Sequence, residues 1–184
     1  MEQSCRPKPH PLRLGGCGHP LLYLDFDGVL HPDQVWWSPR RGVYLENCPG
    51  HELFEHAAAL EGLLAPHPRI LIVLSTSWVR RFGYTGAARR LPPGLRSRVV
   101  GATFHTSMDE PAFLAKSRGL QITEDVARRR PSDWIAIDDD AEGWPDDSIA
   151  HLVRSDPDAG LVHPDVLSRL ATGLARLDLA LPLA

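Results

Sequence analysis

Three short apolar runs along the chain each end directly in a polar or acidic residue. They are LLYL at residues 21–24, ILIVL at 70–74 and WIAI at 134–137. Runs of four or five mostly apolar residues, without strict apolar and polar alternation, are typical of strands buried on both faces of a parallel sheet. The chain is therefore predicted to contain a parallel sheet that includes these three strands.

Helical patterns lie between and after these runs, and residues 99–104 and 149–153 are weaker strand candidates. About five strands that alternate with helices predict an α/β fold, with a central parallel sheet and helices on both faces. Three helices are predicted, each with apolar residues on one face. These residues are Leu53, Ala57, Leu60 and Leu64 in the first helix, Ile122 and Val126 in the second, and Leu167, Leu170, Leu174 and Leu177 in the last.

The chain is expected to form one domain. Residues 1–20 are rich in Pro, Gly and Arg and follow neither hydrophobic period, so an irregular N-terminal lead-in is predicted there. Residues 21–184 would form the domain, because a chain of 184 residues that is 43% hydrophobic can bury a core. Residues 79–115 are expected to be irregular, and neither gap between the three runs is long enough for a large cap domain.

Charge and cysteine content limit the environment and the partners. The formal net charge is −3, and the basic residues are 18 Arg and two Lys, so no overall field favours nucleic acid or an anionic membrane. A nucleic-acid contact would need a local patch. The three irregularly spaced cysteines argue against a disulfide framework, and no segment resembles a signal peptide or a membrane span. We therefore expect a cytoplasmic protein that does not enter membranes.

Polar side chains at the ends of the three strands are expected to lie close together, because neighbouring parallel strands present their carboxyl ends at one edge of a sheet. Carboxylates at this density would repel one another without a cation, and several hard oxygen ligands suit Mg²⁺. Gly28 permits a sharp turn that brings backbone groups near a bound anion. A metal-assisted phosphate site is thus indicated; its residues are Asp25, Asp27, Ser75, Asp138 and Asp139.

The same residues resemble the four motifs of the haloacid dehalogenase (HAD) superfamily of phosphatases. DFDGV at residues 25–29 is similar to the first motif, and IVLS ending at Ser75 is similar to the second. Lys116 stands where the third motif has a lysine, and WIAIDD resembles the fourth motif, with its paired acids at Asp138 and Asp139. Four motifs in this order are far more specific than any one of them.

A narrower resemblance rests on three further segments. These are STSW at residues 75–78, the three consecutive acids at 138–140 and DPDAGL at 156–161. They look like the HAD domain of Swiss-army-knife RNA repair proteins. The resemblance covers roughly residues 20–177 and implies a Rossmann-like fold.

The resemblance implies phosphoryl chemistry in two steps. Asp25 would attack phosphorus and form an aspartyl-phosphate, while Asp27 would protonate the leaving oxygen and then deprotonate the hydrolytic water. Mg²⁺ would be held by the Asp25 carboxylate, the Asp27 backbone carbonyl, and Asp138 or Asp139.

Phosphate binding is assigned to a hydroxyl and a cation. Ser75 would bind the non-bridging oxygens, with Thr76 as a possible substitute, and Lys116 would add positive charge. Plainer interpretations stay open, because a serine that ends a strand can bond to the backbone and an isolated lysine is often a solvated charge.

Aromatic and basic side chains near the site are candidates for substrate contact. Trp36, Trp37 and Arg40 follow the first motif, in a region where the superfamily has a mobile flap, and could stack on a base at a nucleic-acid end. Trp78 and Arg80, just after the second motif, are candidates for the same role. The alternative is a hydrophobic rim that packs on the domain. His31, also near the first motif, is expected to be a surface histidine.

The favoured function is a magnesium-dependent phosphohydrolase that acts on a phosphate at an RNA or DNA end, because a site without a large lid admits a bulky substrate. Two alternatives stay open. One is a phosphomonoesterase for small metabolites, and the other is a non-catalytic module that binds phosphate and metal.

Overall fold

The computed structural model describes residues 15–156 and 158–179. Most of the predicted lead-in, residues 1–14, lies outside this range, and residues 15–18 form a turn ahead of the first strand. Its elements in chain order are β1 (Leu21–Leu24), β2 (Val35–Ser38), β3 (Gly42–Leu45), α1 (Ala57–Leu64), β4 (Leu71–Leu74), α2 (Trp78–Ala88), α3 (Pro93–Arg96), β5 (Val99–Ala102), α4 (Glu110–Leu114), α5 (Arg118–Arg129), β6 (Trp134–Asp138), β7 (Leu152–Arg154) and α6 (Pro164–Leu179).

A five-stranded sheet forms the centre of the fold, with the order β5-β4-β1-β6-β7 and every pair parallel. The predicted α/β fold with about five strands is confirmed, as are the three strong strands. The strand expected at residues 149–153 is shifted, because a short 3₁₀ turn occupies Ile149–His151 and β7 begins at Leu152.

Hydrophobic residues cover both faces of the sheet. Successive side chains of a strand point to opposite faces, and those of β1 divide accordingly between two clusters. Leu22 and Leu24 pack into the larger cluster with residues of α1, α2 and α6, whereas Leu21 and Tyr23 pack with residues of α5. The expected helices on both faces are thereby confirmed.

An antiparallel hairpin of β2 and β3 follows the first strand, where the sequence pattern predicts no strands. The residues of both strands are half-buried or exposed, so they lack the run of apolar residues that predicts a buried strand. Trp36 and Trp37 are 56% and 44% exposed. The helix expected from Leu53 begins only at Ala57.

The prediction of an irregular segment at residues 79–115 was wrong, because the helices α2, α3 and α4 lie there. The strand β5 agrees with the weaker strand candidate at residues 99–104. Gly83 interrupts α2 with a φ of 70°, and this glycine obscured the helical pattern. Within residues 15–156 and 158–179, the gaps between the three strong strands contain the hairpin, β5 of the central sheet and five helices, and no further sheet that could form a large cap. No helix in the described residues is both long enough and apolar enough to cross a bilayer.

Candidate active site

Three neighbouring strands bring the predicted acidic and hydroxyl side chains to one edge of the sheet. Asp25 directly follows β1, Ser75 follows β4, and Asp138 is the last residue of β6. Since β1 lies between β4 and β6, the three side chains become neighbours, and all three residues are buried. The structure therefore brings together the residues that the strand ends predicted.

A tight turn follows Asp25 and requires glycine. Gly28 has a φ of 67°, and a Cβ atom there would lie 2.6 Å from Asp139 Oδ2. Two hydrogen bonds from residues 155–161, which include the DPDAGL segment, hold this turn. Ser155 Oγ donates to the Gly28 carbonyl at 2.8 Å, and the Leu161 N–H donates to the Val29 carbonyl at 3.0 Å. The segment singled out by the resemblance thus has a structural role in shaping the first motif.

Three carboxylates form a candidate metal site. Asp25, Asp138 and Asp139 each present an oxygen within 4.8 Å of the others. Burial raises the pKa of all three carboxyl groups, and for Asp138 the neighbouring charge of Asp25 raises it further. Asp138 Oδ2 is buried and accepts no hydrogen bond within the described residues. This donor set fits a hard divalent cation.

Arg118, which the sequence analysis missed, is the cation in contact with this cluster. It is the first residue of α5. Its Nη2 donates to Asp25 Oδ2 at 3.2 Å, its Nε lies 3.2 Å from Asp138 Oδ2, and its Nη1 donates to the Ser75 carbonyl. Among the described residues, when all three acids are ionised, the Arg118 guanidinium offsets one of their negative charges, and a divalent cation would offset the other two.

The hydroxyl of Ser75 is a candidate phosphate ligand. The residue is fully buried, and Ser75 Oγ has no hydrogen-bond partner within the described part of the chain. Thr76, the predicted substitute, is also buried, but its Oγ1 lies 3.4 Å from the Trp78 backbone nitrogen and accepts from its N–H. An unpaired buried hydroxyl is costly without a ligand, so Ser75 fits the phosphate role better than Thr76 does.

Lys116 lies near the site without contacting its aspartates. The side chain lines a small hollow of about 220 Å³ together with Thr76 and Arg118. Its Nζ forms an ion pair with Glu124 at 2.6 Å. Lys116 was predicted because it stands where the third HAD motif has a lysine, whereas nothing in the sequence distinguishes Arg118 from the other arginines.

Asp27 has a different environment from the other acids. Its side chain is not part of the group of three; its backbone carbonyl is the atom expected to bind metal, and that role stays a prediction. Asp27 Oδ1 accepts a hydrogen bond from Trp78 Nε1 at 2.7 Å and lies 3.2 Å from His31 Nε2, while Ser77 Oγ donates to Oδ2 at 3.3 Å. The surface position expected for His31 was wrong, since the residue is fully buried.

A groove of about 630 Å³, the flap groove, lies between the β2–β3 hairpin and α2, and Asp27 lines it. Trp36, Trp37, Arg80 and Arg81 also line it, and the Arg81 guanidinium lies 4.2 Å from the centre of the Trp37 ring.

The substrate-contact candidates do not all lie in the open part of the flap groove. Arg40 is in the exposed turn between β2 and β3 and is not among the lining residues of the described chain. Trp78 also lines the flap groove, but it is only 3% exposed and packs in the core. The hairpin and α2 therefore leave Trp36, Trp37 and Arg80 as the candidates that a substrate could reach.

Comparisons with known proteins give one family. No curated protein matches the chain significantly. A sequence model described as the HAD domain in Swiss Army Knife RNA repair proteins matches residues 21–166, which contain every element that contributes to the site. The chain therefore belongs to the family of HAD domains found in Swiss Army Knife RNA repair proteins.

Proposed function

We propose that the chain is a magnesium-dependent phosphohydrolase that works through an aspartyl-phosphate on Asp25. The observation that carries the proposal is the group of buried Asp25 and Asp138 and half-buried Asp139. It lies beside the Arg118 guanidinium and a Ser75 hydroxyl that has no hydrogen-bond partner among the described residues. Acids, a cation and a free hydroxyl at one strand edge are the groups that phosphoryl transfer requires. Family membership supports a HAD-type phosphohydrolase.

Mg²⁺ fits the site as its cofactor. Asp25, Asp138 and Asp139 would hold it, together with the Asp27 backbone carbonyl. When bound, Mg²⁺ would offset the negative charge of the phosphate and orient its oxygens. The buried Asp138 Oδ2 supports this assignment, because among the described residues it accepts no hydrogen bond and its one close cationic neighbour is the Arg118 guanidinium.

In the first step, an oxygen of Asp25 forms a bond to phosphorus as the bond from phosphorus to the leaving oxygen breaks. Asp27 supplies the proton that the leaving oxygen needs. The Phe26 N–H donates to Asp25 Oδ1 at 2.7 Å and Arg118 contacts Oδ2, so the nucleophile is fixed before the substrate arrives. Ser75 would donate to a non-bridging oxygen of the phosphate.

In the second step, Asp27 takes a proton from water and the water oxygen attacks phosphorus. The bond from phosphorus to Asp25 breaks, which releases inorganic phosphate and restores the Asp25 carboxylate. Asp27 therefore returns to its protonated form at the end of the cycle, ready for the next leaving oxygen.

The substrate that we propose is a phosphate at a nucleic-acid end. The family description names RNA repair proteins. The flap groove beside Asp27 is open, and two exposed tryptophans, Trp36 and Trp37, and two arginines line it. Such side chains stack on bases and pair with backbone phosphates. The two arginines would form the local basic patch that a nucleic acid needs on a protein with a net negative charge.

Phosphate release from a panel of substrates tests the proposed function. We expect release that requires Mg²⁺ and stops with a chelator, and a kcat/KM at least about tenfold higher for a 3′-phosphorylated oligonucleotide than for sugar phosphates, because one stacked base contributes about 1–3 kcal/mol. The same oligonucleotide with a 5′-phosphate distinguishes the two ends. A preference for sugar phosphates would favour the metabolite alternative, and no release from any substrate would favour the binding module.

Arg118 and Lys116 are both candidates for the cation that stabilises the transferred phosphoryl group, and replacing each of them by Gln distinguishes the two. The aspartate contacts favour Arg118, so we expect Arg118→Gln to lower kcat/KM by about 10²–10³-fold, the range for losing one preorganised charge-stabilising donor. The matched change Lys116→Gln should cost less than about tenfold, since its ion pair with Glu124 is largely exposed. Melting temperatures at saturating Mg²⁺ control for folding, and the reverse ranking would return the role to Lys116.

A further inference from the structure

Asp27 is held by side chains that the proposed chemistry does not itself require. Trp78 Nε1 donates to Asp27 Oδ1 at 2.7 Å, and His31 Nε2 lies 3.2 Å from the same oxygen. Ser77, an exposed residue, donates its hydroxyl to the other oxygen, Oδ2, at 3.3 Å. The two carboxylate oxygens therefore have unequal surroundings, since Oδ1 faces two nitrogen donors and Oδ2 one rotatable hydroxyl.

The second contact of His31 determines which ring nitrogen carries the proton. The Phe54 N–H donates to His31 Nδ1 at 3.3 Å, so Nδ1 must be an acceptor. A neutral imidazole that accepts at Nδ1 has its hydrogen on Nε2. His31 Nε2 therefore donates to Asp27 Oδ1, which also accepts a hydrogen bond from Trp78 Nε1.

An aromatic cluster keeps both donors in place. The Phe54 ring lies 4.9 Å from His31 and 5.3 Å from Trp78, measured between ring centres, and 5.2 Å from Phe26. Phe54 has a φ of 63°, a conformation that a non-glycine residue adopts only when its surroundings hold it there. This backbone position presents the Phe54 N–H to His31, and the packed rings leave little freedom to reorient.

We propose that His31 and Trp78 are positioning residues, which fix Asp27 so that Oδ2 is the oxygen that exchanges a proton with the substrate and with water. Two N–H donors occupy Oδ1, so a proton on the acid form of Asp27 resides on Oδ2, where the Ser77 hydroxyl can rotate away. The assignment rests on the proposed function, in which Asp27 is the acid and base. It also gives Trp78 a role that its burial allows, in place of stacking on a substrate.

Leaving-group dependence separates this role from a merely structural one. Trp78→Phe keeps a ring in the cluster and removes the N–H that donates to Asp27. His31→Leu removes the other N–H donor, whereas His31→Gln can restore an N–H near the position of Nε2. Nitrophenolate leaves without a proton far more readily than phenolate does. We therefore expect kcat/KM for phenyl phosphate to fall about tenfold to hundredfold in Trp78→Phe and His31→Leu, with a much smaller fall for 4-nitrophenyl phosphate.

Further features of the expected result are a nearly unchanged KM and a partial recovery in His31→Gln. Trp134→Phe is the matched control, because Trp134 is a similarly buried tryptophan at the start of β6, away from the acids, and its change should leave the ratio of the two substrates unchanged. Melting curves at saturating Mg²⁺ identify any variant that does not fold. If His31→Leu does not fold, Trp78→Phe and His31→Gln decide the result.

The outcomes distinguish the failure of this proposal from the failure of the proposed function. Equal losses on both substrates, a change confined to KM, or no loss in folded variants would overturn the positioning role while the phosphatase activity stands. A wild-type protein that releases no phosphate from either ester, or whose release survives Asp25→Asn, would overturn the proposed function and this inference with it.

Discussion

Replacing Asp25 by Asn is expected to lower phosphate release by at least about 10³-fold, because an amide cannot form the covalent intermediate. The two side chains have nearly the same shape. The amide oxygen of the substituted side chain could still accept the hydrogen bond that the Phe26 N–H gives to Oδ1. The loss would thus report on the nucleophile itself, measured as kcat for the preferred oligonucleotide at saturating Mg²⁺.

The stability of this variant separates lost chemistry from lost structure. Burial raises the pKa of Asp25 above its ordinary value, although Arg118 opposes the effect, so without metal the charged side chain destabilises the folded state relative to the unfolded one. We expect metal-free Asp25→Asn to melt no lower than the wild type at neutral pH. Retention of more than about a tenth of the activity would place the nucleophile elsewhere.

The second large effect is expected at Asp125, which anchors α5 to the sheet. Asp125 Oδ2 accepts from the Tyr23 hydroxyl at 3.0 Å and from Arg129 Nε at 2.5 Å, and Oδ1 accepts from Arg128 Nη2 at 2.9 Å. Asp125 and Arg129 are both buried. Burial, and then the Asp125 charge, raise the pKa of Tyr23, so its phenol stays a donor.

Replacing Asp125 by Ala should lower the free energy of unfolding by about 3–5 kcal/mol, because it leaves the Arg129 guanidinium buried without its anion. The guanidinium has little room to move, since it also donates to the carbonyls of Gly15 and Ala102 and lies against Gly101, where a Cβ would be 2.5 Å from Arg129 Nη2. Urea unfolding of the full chain measures the change.

Two neighbouring changes serve as controls for this prediction. Tyr23→Phe keeps the ring and removes one hydrogen bond, so a loss of about 1 kcal/mol is expected. Arg128→Ala removes the more exposed partner and should cost less than about 1 kcal/mol. A loss near 1 kcal/mol for Asp125→Ala as well would show that the network contributes no more than its separate hydrogen bonds.

The sequence by itself determined the sheet and the acids at its edge. The runs before Asp25, Ser75 and Asp138 are apolar without alternation because the sheet is covered on both faces, and this local property predicts both the strands and their common carboxyl edge. Gly28 was equally informative, because the left-handed turn and the nearby Asp139 both exclude a Cβ atom there.

Only the tertiary structure decided which other side chains complete the site. Arg118 is 93 residues from Asp25 along the chain, and nothing local distinguishes it from the other arginines. The burial of His31 depends on Phe54 and Trp78, which reach it from other segments. Hydrophobic periodicity predicts which face of each segment packs on the core. Contacts between polar groups that are distant in sequence depend on how the segments pack together, and no local pattern contains that information.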